Sequence, residues 1–257
     1  MKLVLDGKYA SARSVLALGM FDGVHLGHRV LVRRARSLAD RLGAELVVCT
    51  FAQHPLSVLS PQKCPPMLST LAERAALLGE MGADVLYAMP VQKEWLAMEP
   101  EVYVGQLVRR FHPAYMVCGY NHTFGRGGLG RPALLDALGA GLGFGVSVVP
   151  EIRLDGREVS SSAVRREVAK GNAREAWRLL GRPYALEGQV EAREPGRTVI
   201  RLERHGKLAP QDATYLLRIC DGARAYPVQA PLCKDGVTCA LSQQAPLGRA
   251  VTVQFLG

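Results

Sequence analysis

Through residues 13–180, short apolar runs alternate with longer stretches in which apolar positions recur every three or four residues. The runs at 13–20, 46–49, 85–89, 115–118 and 145–149 read as strands, and Leu46-Val47-Val48-Cys49 is apolar without alternation, as in a parallel sheet covered on both faces. The stretches between them, 26–42, 70–81, 99–111 and 132–142, carry a helical period. In the first of these, Leu31, Ala35, Leu38 and Leu42 fall on one side, with Arg33, Arg36 and Asp40 on the solvated one. The second turns Leu71, Ala75 and Leu78 inward. Gly43 and Gly82 stand where helix C-caps are expected, and Pro132 stands where a first helical turn tolerates proline. Strand–helix alternation of this kind predicts an α/β fold with a doubly wound parallel sheet. Ligands of such sheets bind beyond the carboxyl ends of the strands.

The texture changes at Tyr184. A short helix at 173–180 ends at Gly181, and the segments 198–203, 215–220, 237–241 and 251–255 are β-branched, partly alternating and separated by Pro, Gly and Asp-Gly turns. They predict a small C-terminal antiparallel β-domain or open barrel. The expected domains are therefore 1–183 and 184–257.

Composition narrows the function classes. With 48% hydrophobic and 21% charged residues the chain is that of a soluble globular protein. It has no run of membrane-spanning length, and its N-terminal apolar stretch is too short for a signal peptide, so a cytoplasmic location is expected. Its six cysteines form no C-x-x-C pair, and Cys49 and Cys118 lie inside apolar runs as small hydrophobes. The net charge of +9 is spread along helices without an aromatic-rich basic stripe. That distribution suits polyphosphate ligands better than nucleic acid.

The candidate chemistry starts at Gly19-Met20-Phe21-Asp22-Gly23-Val24-His25-Leu26-Gly27-His28, between the first strand and the first helix. Glycines at 19, 23 and 27 allow a sharp turn and close ligand approach, and a helix start favours an anion. His25 and His28, three apart, share a face if both stand on the first helical turn. The string is neither the dinucleotide fingerprint nor the P-loop. His54 follows the second strand and Asn121 the fourth, so several polar groups follow strand carboxyl ends. Ser160-Ser161-Ser162 with Arg165 one turn later reads either as plain helix capping or as a second phosphate clamp.

The G-x-F-D-G-x-H-x-G-H string resembles the signature of the nucleotidylyltransferase superfamily, and within it the bacterial FAD synthetases, bifunctional riboflavin kinase/FMN adenylyltransferases. Thr50-Phe51-Ala52-Gln53-His54-Pro55 resembles the family's F-x-P-H-P segment, with Gln53 in place of a proline. Gly119-Tyr120-Asn121 with Phe124-Gly125 resembles its G-x-[DN]-x-x-F-G motif, with His122 where an aromatic is usual, and Ser160 to Arg165 resembles S-S-T-x-x-R. The resemblance implies a Rossmann-like domain that transfers AMP from ATP, with Mg²⁺, to FMN, giving FAD. It implies that His25, His28, Asn121 and Arg165 act in catalysis, that Gly19, Phe21, Gly27, Ser161 and Ser162 bind ATP, and that His54 and Phe124 border the flavin. No direct protein ligand to the metal is implied, and no nucleic-acid or membrane partner. The family's C-terminal riboflavin kinase barrel carries a Pro-Thr-Ala-Asn motif absent here, and the stretch after residue 184 is shorter, which implies a degenerate kinase module. Two further readings stay open: a related nucleotidylyltransferase with another phosphorylated acceptor, and a non-catalytic flavin- or nucleotide-binding protein.

Overall fold

The computed structural model describes residues 1–194, 197–234, 236–239 and 248–257. Its contacts divide the chain into two compact units, Met1–Pro65 with Leu71–Glu158, and Pro66–Thr70 with Val159–Gly257.

The first unit holds strands β1 (Lys2–Val4), β2 (Ser14–Leu18), β3 (Glu45–Phe51), β4 (Val85–Met89), β5 (Pro113–Gly119) and β6 (Gly145–Val149), and helices α1 (Leu26–Leu42), α2 (Leu56–Leu59), α3 (Leu71–Glu80), α4 (Lys93–Leu96), α5 (Pro100–Phe111) and α6 (Pro132–Leu142). The six strands form one sheet in the order β1-β4-β3-β2-β5-β6, every neighbouring pair parallel. Alternate residues of each strand enter two cores. Leu16, Val47 and Tyr87 pack with Tyr103, Leu107 and Phe111 of α5 on one face. Val15, Val48 and Leu86 pack with Leu31, Ala35 and Leu38 of α1 on the other. This is the doubly wound arrangement the apolar runs predict, with one edge strand added. The strand β1 escapes sequence reading because three residues with two exposed side chains carry no pattern. Cys49 and Cys118 are buried, and burial alone pushes both thiols up, Cys118 to about 11, so both behave as small apolar groups. A two-stranded hairpin, β7 (Arg153–Leu154) with β8 (Arg157–Glu158), ends the unit.

The second unit begins with helices α7 (Ser161–Ala169) and α8 (Ala173–Leu180), which pack on one another, and α8 packs on the strand that follows it. The contacts thus divide the chain at 158/159, whereas the change of texture lies at 183/184. Strands β9 (Tyr184–Glu194), β10 (Arg197–Glu203), β11 (Ala213–Cys220), β12 (Ala225–Cys233), β13 (Gly236–Cys239) and β14 (Ala250–Phe255) close a barrel in the order β10-β13-β12-β11-β14-β9. The open-barrel alternative is therefore replaced by a closed one. The strand expected at 237–241 is seen to Cys239, and its last two residues lie outside the described residues. Two barrel strands go beyond the sequence pattern. β9 alternates Tyr184, Leu186 and Val190 inward, but Gly188 interrupts the signal. Gly188 is needed there: a Cβ would lie 2.7 Å from the Arg201 carbonyl oxygen. In β12, Pro227 and Pro231 read as turn punctuation, yet both point outward, and among the described residues Leu232 and Cys233 are the ones that pair with β13. Proline is tolerated where no ladder donor is required.

No helix among the described residues is long and apolar enough to cross a membrane. Close approach also fixes Gly130 in the first unit. A Cβ on Gly130 would stand 2.4 Å from the buried ring of Phe124. Gly130→Ala should therefore lower stability by about 1–3 kcal/mol through overpacking. Urea unfolding of the variant measures this directly, and an unchanged midpoint would contradict the packing described.

Candidate functional site

The turn after β2 is built under constraint. Phe21 (φ 51°) and Val24 (φ 40°) both occupy the left-handed region, with Gly23 (φ 78°) between them. Such conformations cost non-glycine residues energy and persist where packing enforces them. Phe21 and Val24 are fully buried, which supplies the enforcement. Only Gly23 of the three glycines has left-handed backbone. Gly19 directly follows β2, close to the Phe21 ring, where a Cβ would lie 3.3 Å away. Gly27, expected to shape the turn, instead lies in the first turn of α1.

His25 is not on that first turn but caps it. Its backbone is extended (φ −69°, ψ 174°), and its Nδ1 accepts the His28 N–H at 3.3 Å. Accepting at Nδ1 leaves the proton of a neutral ring on Nε2. The two imidazoles stack with centroids 3.7 Å apart and planes 20° apart, and the His28 ring also lies 5.1 Å from that of Phe21. The two rings thus lie together through capping and ring stacking, not through a shared helical turn.

The neighbouring strand ends bring the next groups. In the sheet, β2 lies between β3 and β5, at the point where the strand order reverses. The turn with His25 and His28, the segment with His54, and the loop with Asn121 therefore follow three adjacent carboxyl ends. His54 acts locally, its Nδ1 accepting the Leu56 N–H at 3.1 Å and so securing the short α2. Asn121 is exposed at the tip of its loop, which is pinned by the Tyr120 N–H donating to the Val149 carbonyl at 2.9 Å. Phe124 is buried in the core, 5.9 Å from Tyr103 and 5.8 Å from His122 by ring centroids, so it packs rather than presents a surface.

Arg74, on α3, is a charged residue only 1% exposed. Its Nη1 donates to the carbonyl oxygens of Met20 (3.1 Å) and Phe51 (2.9 Å) and reaches the Thr50 hydroxyl at 3.3 Å. Its Nη2 donates to the Ala52 carbonyl at 2.7 Å. The Thr50 hydroxyl in turn donates to the Met20 carbonyl at 2.9 Å. Burial draws the guanidinium pKa down while the charge of Asp22 opposes the shift. Arginine stays charged in either case. The one available signal is a cation one turn from Leu78 on an otherwise apolar helix face.

The serine segment belongs to the second unit. Ser160 caps α7, its hydroxyl accepting the Ala163 N–H at 3.2 Å, while Ser161 and Ser162 begin the helix. Arg165 Nε donates to the Pro66 carbonyl at 2.9 Å. Capping thus falls to the first serine alone. Among the described residues, the group with metal-ligand spacing is Glu187, Glu203 and His205, on β9, β10 and the residues just after β10, and it includes none of the expected site residues.

His122 stands in the Asn121 loop, half-buried. Desolvation lowers its pKa from 6.5 to about 4. The native ring therefore stays neutral while the unfolded chain already binds a proton. Stability contributed by the neutral ring is complete above pH 6.5 and is lost as pH falls from 6.5 towards 4. At most about 3 kcal/mol is involved, and less for a ring partly open to water. His122→Phe keeps the stacking on Phe124 and should flatten this part of the stability–pH profile. Urea midpoints between pH 4 and 7 measure it; an unaltered slope would show that His122 is not its source.

The model of the FAD synthetase family matches residues 8–163. Curated relatives described as bifunctional riboflavin kinase/FMN adenylyltransferases are similar along most of the chain. The one from Listeria monocytogenes is 31% identical over 198 residues, which are 76% of this chain and 63% of that protein. The one from Bacillus subtilis is 32% identical, covering 75% of this chain and 61% of that protein. The alignments thus span less than two thirds of these relatives' length. The crystal structure of a protein described as a macrolide-efflux protein from Streptococcus pneumoniae superposes with a TM-score of 0.91 at 22% identity, covering 100% of this chain and 90% of the other, a likeness of fold. With its motif turn, its strand order and more than half its length inside the matched region, the chain belongs to the FAD synthetase family.

Proposed function

We propose that the protein is an FMN adenylyltransferase that transfers AMP from ATP to FMN, yielding FAD and pyrophosphate. The observation that carries this reading is the stacked His25–His28 pair at the start of α1, inside the region matched by the family. A phosphate oxygen of FMN attacks the α-phosphorus of ATP, and the bond from that phosphorus to the bridging oxygen of the β-phosphate breaks. Pyrophosphate leaves with both electrons of that bond. The nucleophile is already an anion, so no side chain has to be activated. The work left to the protein is alignment and stabilisation of charge on the phosphoryl oxygens.

His25 and His28 supply imidazole donors to those oxygens, and the backbone N–H groups around Gly19, Phe21 and Gly27 supply further donors beside a helix start. Mg²⁺ enters as part of the MgATP substrate. By motif likeness, Ser161, Ser162 and Arg165 take the β- and γ-phosphates and Asn121 orients the acceptor phosphate. His54 is proposed to border the flavin. Phe124, packed in the core, supports that border from behind. The barrel lacks the Pro-Thr-Ala-Asn motif, so riboflavin kinase activity is proposed to be absent.

Purified protein given Mg²⁺, ATP and FMN should release FAD, and should leave riboflavin unphosphorylated when riboflavin replaces FMN. Chromatography of the flavins reads both. His28→Ala should lower kcat about 100- to 1000-fold with little change in FMN affinity, as for loss of a transition-state donor. Full turnover in that variant would remove His28 from the mechanism, and CTP or a non-flavin acceptor outperforming ATP and FMN would redirect the whole assignment.

A further inference from the structure

Arg74 joins two loops that the sequence keeps apart. One acceptor, the Met20 carbonyl, belongs to the turn that leads to His25 and His28. The others, the carbonyls of Phe51 and Ala52, belong to the end of β3, where the His54 segment begins. A side chain held on α3 therefore bridges them, beside the shorter link from the Thr50 hydroxyl to the Met20 carbonyl.

The residue type is informative. An apolar side chain of similar volume would fill the space without desolvating a charge, and buried ions generally cost more than such replacements. What an apolar residue cannot supply is charged donors to the carbonyl oxygens of Met20, Phe51 and Ala52. The placement is informative too. Met20 directly precedes Phe21, the first left-handed residue of the turn. Strained backbone keeps its geometry only where the surroundings over-determine it, and the Arg74–Met20 hydrogen bond is one such restraint at the point of entry. A fixed positive charge near this turn also favours anions there, in a setting screened from water.

We infer that Arg74 is a positioning residue, a clamp that locks the histidine turn after β2 to the segment after β3 and so fixes the geometry in which the transfer occurs. Its kinetic consequence rests on the adenylyltransferase reading; the clamp itself does not. Arg74 touches no substrate in this assignment, so its loss should act on turnover rather than on acceptor affinity.

Two substitutions in the full chain test this. Arg74→Met removes every donor and should lower kcat about 30-fold or more, with KM for FMN changed less than about threefold. Arg74→Lys keeps the charge and three donors and should recover about tenfold of that loss. Hydrogen exchange should rise in Arg74→Met at residues 20–24 and 51–55 ahead of the rest of the first unit. Gly130→Ala serves as the control for general destabilisation and should leave those two segments no faster than their neighbours. The clamp is overturned if Arg74→Met keeps kcat within twofold and exchange at both segments is unchanged. It is equally overturned if exchange rises uniformly and the loss of kcat matches that of Gly130→Ala at equal Tm. If the wild-type protein makes no FAD, the adenylyltransferase reading fails, and the exchange measurement alone decides the clamp.

Discussion

A buried guanidinium bound to backbone carbonyls is the constraint around which the carboxyl edge of the first unit's sheet is arranged. Parallel strands end in carbonyl groups that the sheet no longer pairs, and three strand ends meet where β3, β2 and β5 lie side by side. If those carbonyls simply faced water, the loops would be free to shift. Arg74 and Thr50 instead gather the oxygens of Met20, Phe51 and Ala52 into one network. Charge-assisted hydrogen bonds of this kind are worth roughly twice neutral ones. The guanidinium cannot shed its proton, so its burial is tolerable only while those acceptors remain in place. The requirement runs both ways, and it makes the edge stiff.

On that stiff edge the histidine turn can hold conformations a loop would not adopt alone. Phe21 and Val24 accept left-handed backbone because both side chains are sunk in the core. The result is a helix that begins abruptly, capped by an imidazole rather than by the usual hydroxyl or carboxamide. Using His25 as the cap orients its ring, and stacking orients His28 against it. Local strain, core burial and helix capping thus converge on the two rings to which the chemistry is assigned.

The barrel follows different rules. Closure removes the exposed edges that a small antiparallel sheet would otherwise present. Its tight places are made with residues that look wrong for strands: Gly188 and Gly236, each with a neighbouring carbonyl where a Cβ would stand, and two outward prolines in β12. A fold that tolerates such residues needs long-range pairing to specify it, since no segment announces itself alone.

The sequence by itself determined the doubly wound sheet, because covered parallel strands and amphipathic helices differ in period, and that period is written locally. It likewise singled out His25, His28, Asn121 and the serine–arginine stretch as candidates, because their motifs are contiguous. It did not reveal β1, β9 or β12, whose identity depends on partners distant in the chain. It did not separate the capping serine from the two that follow, or core Phe124 from a flavin wall. Above all it hardly marked Arg74, whose acceptors are 22 to 54 residues away. Hydrogen bonds to backbone carbonyls leave no trace in side-chain pattern, since any residue supplies the same oxygen; only the folding of strand ends beneath one helix decided that this arginine would be the one to hold them.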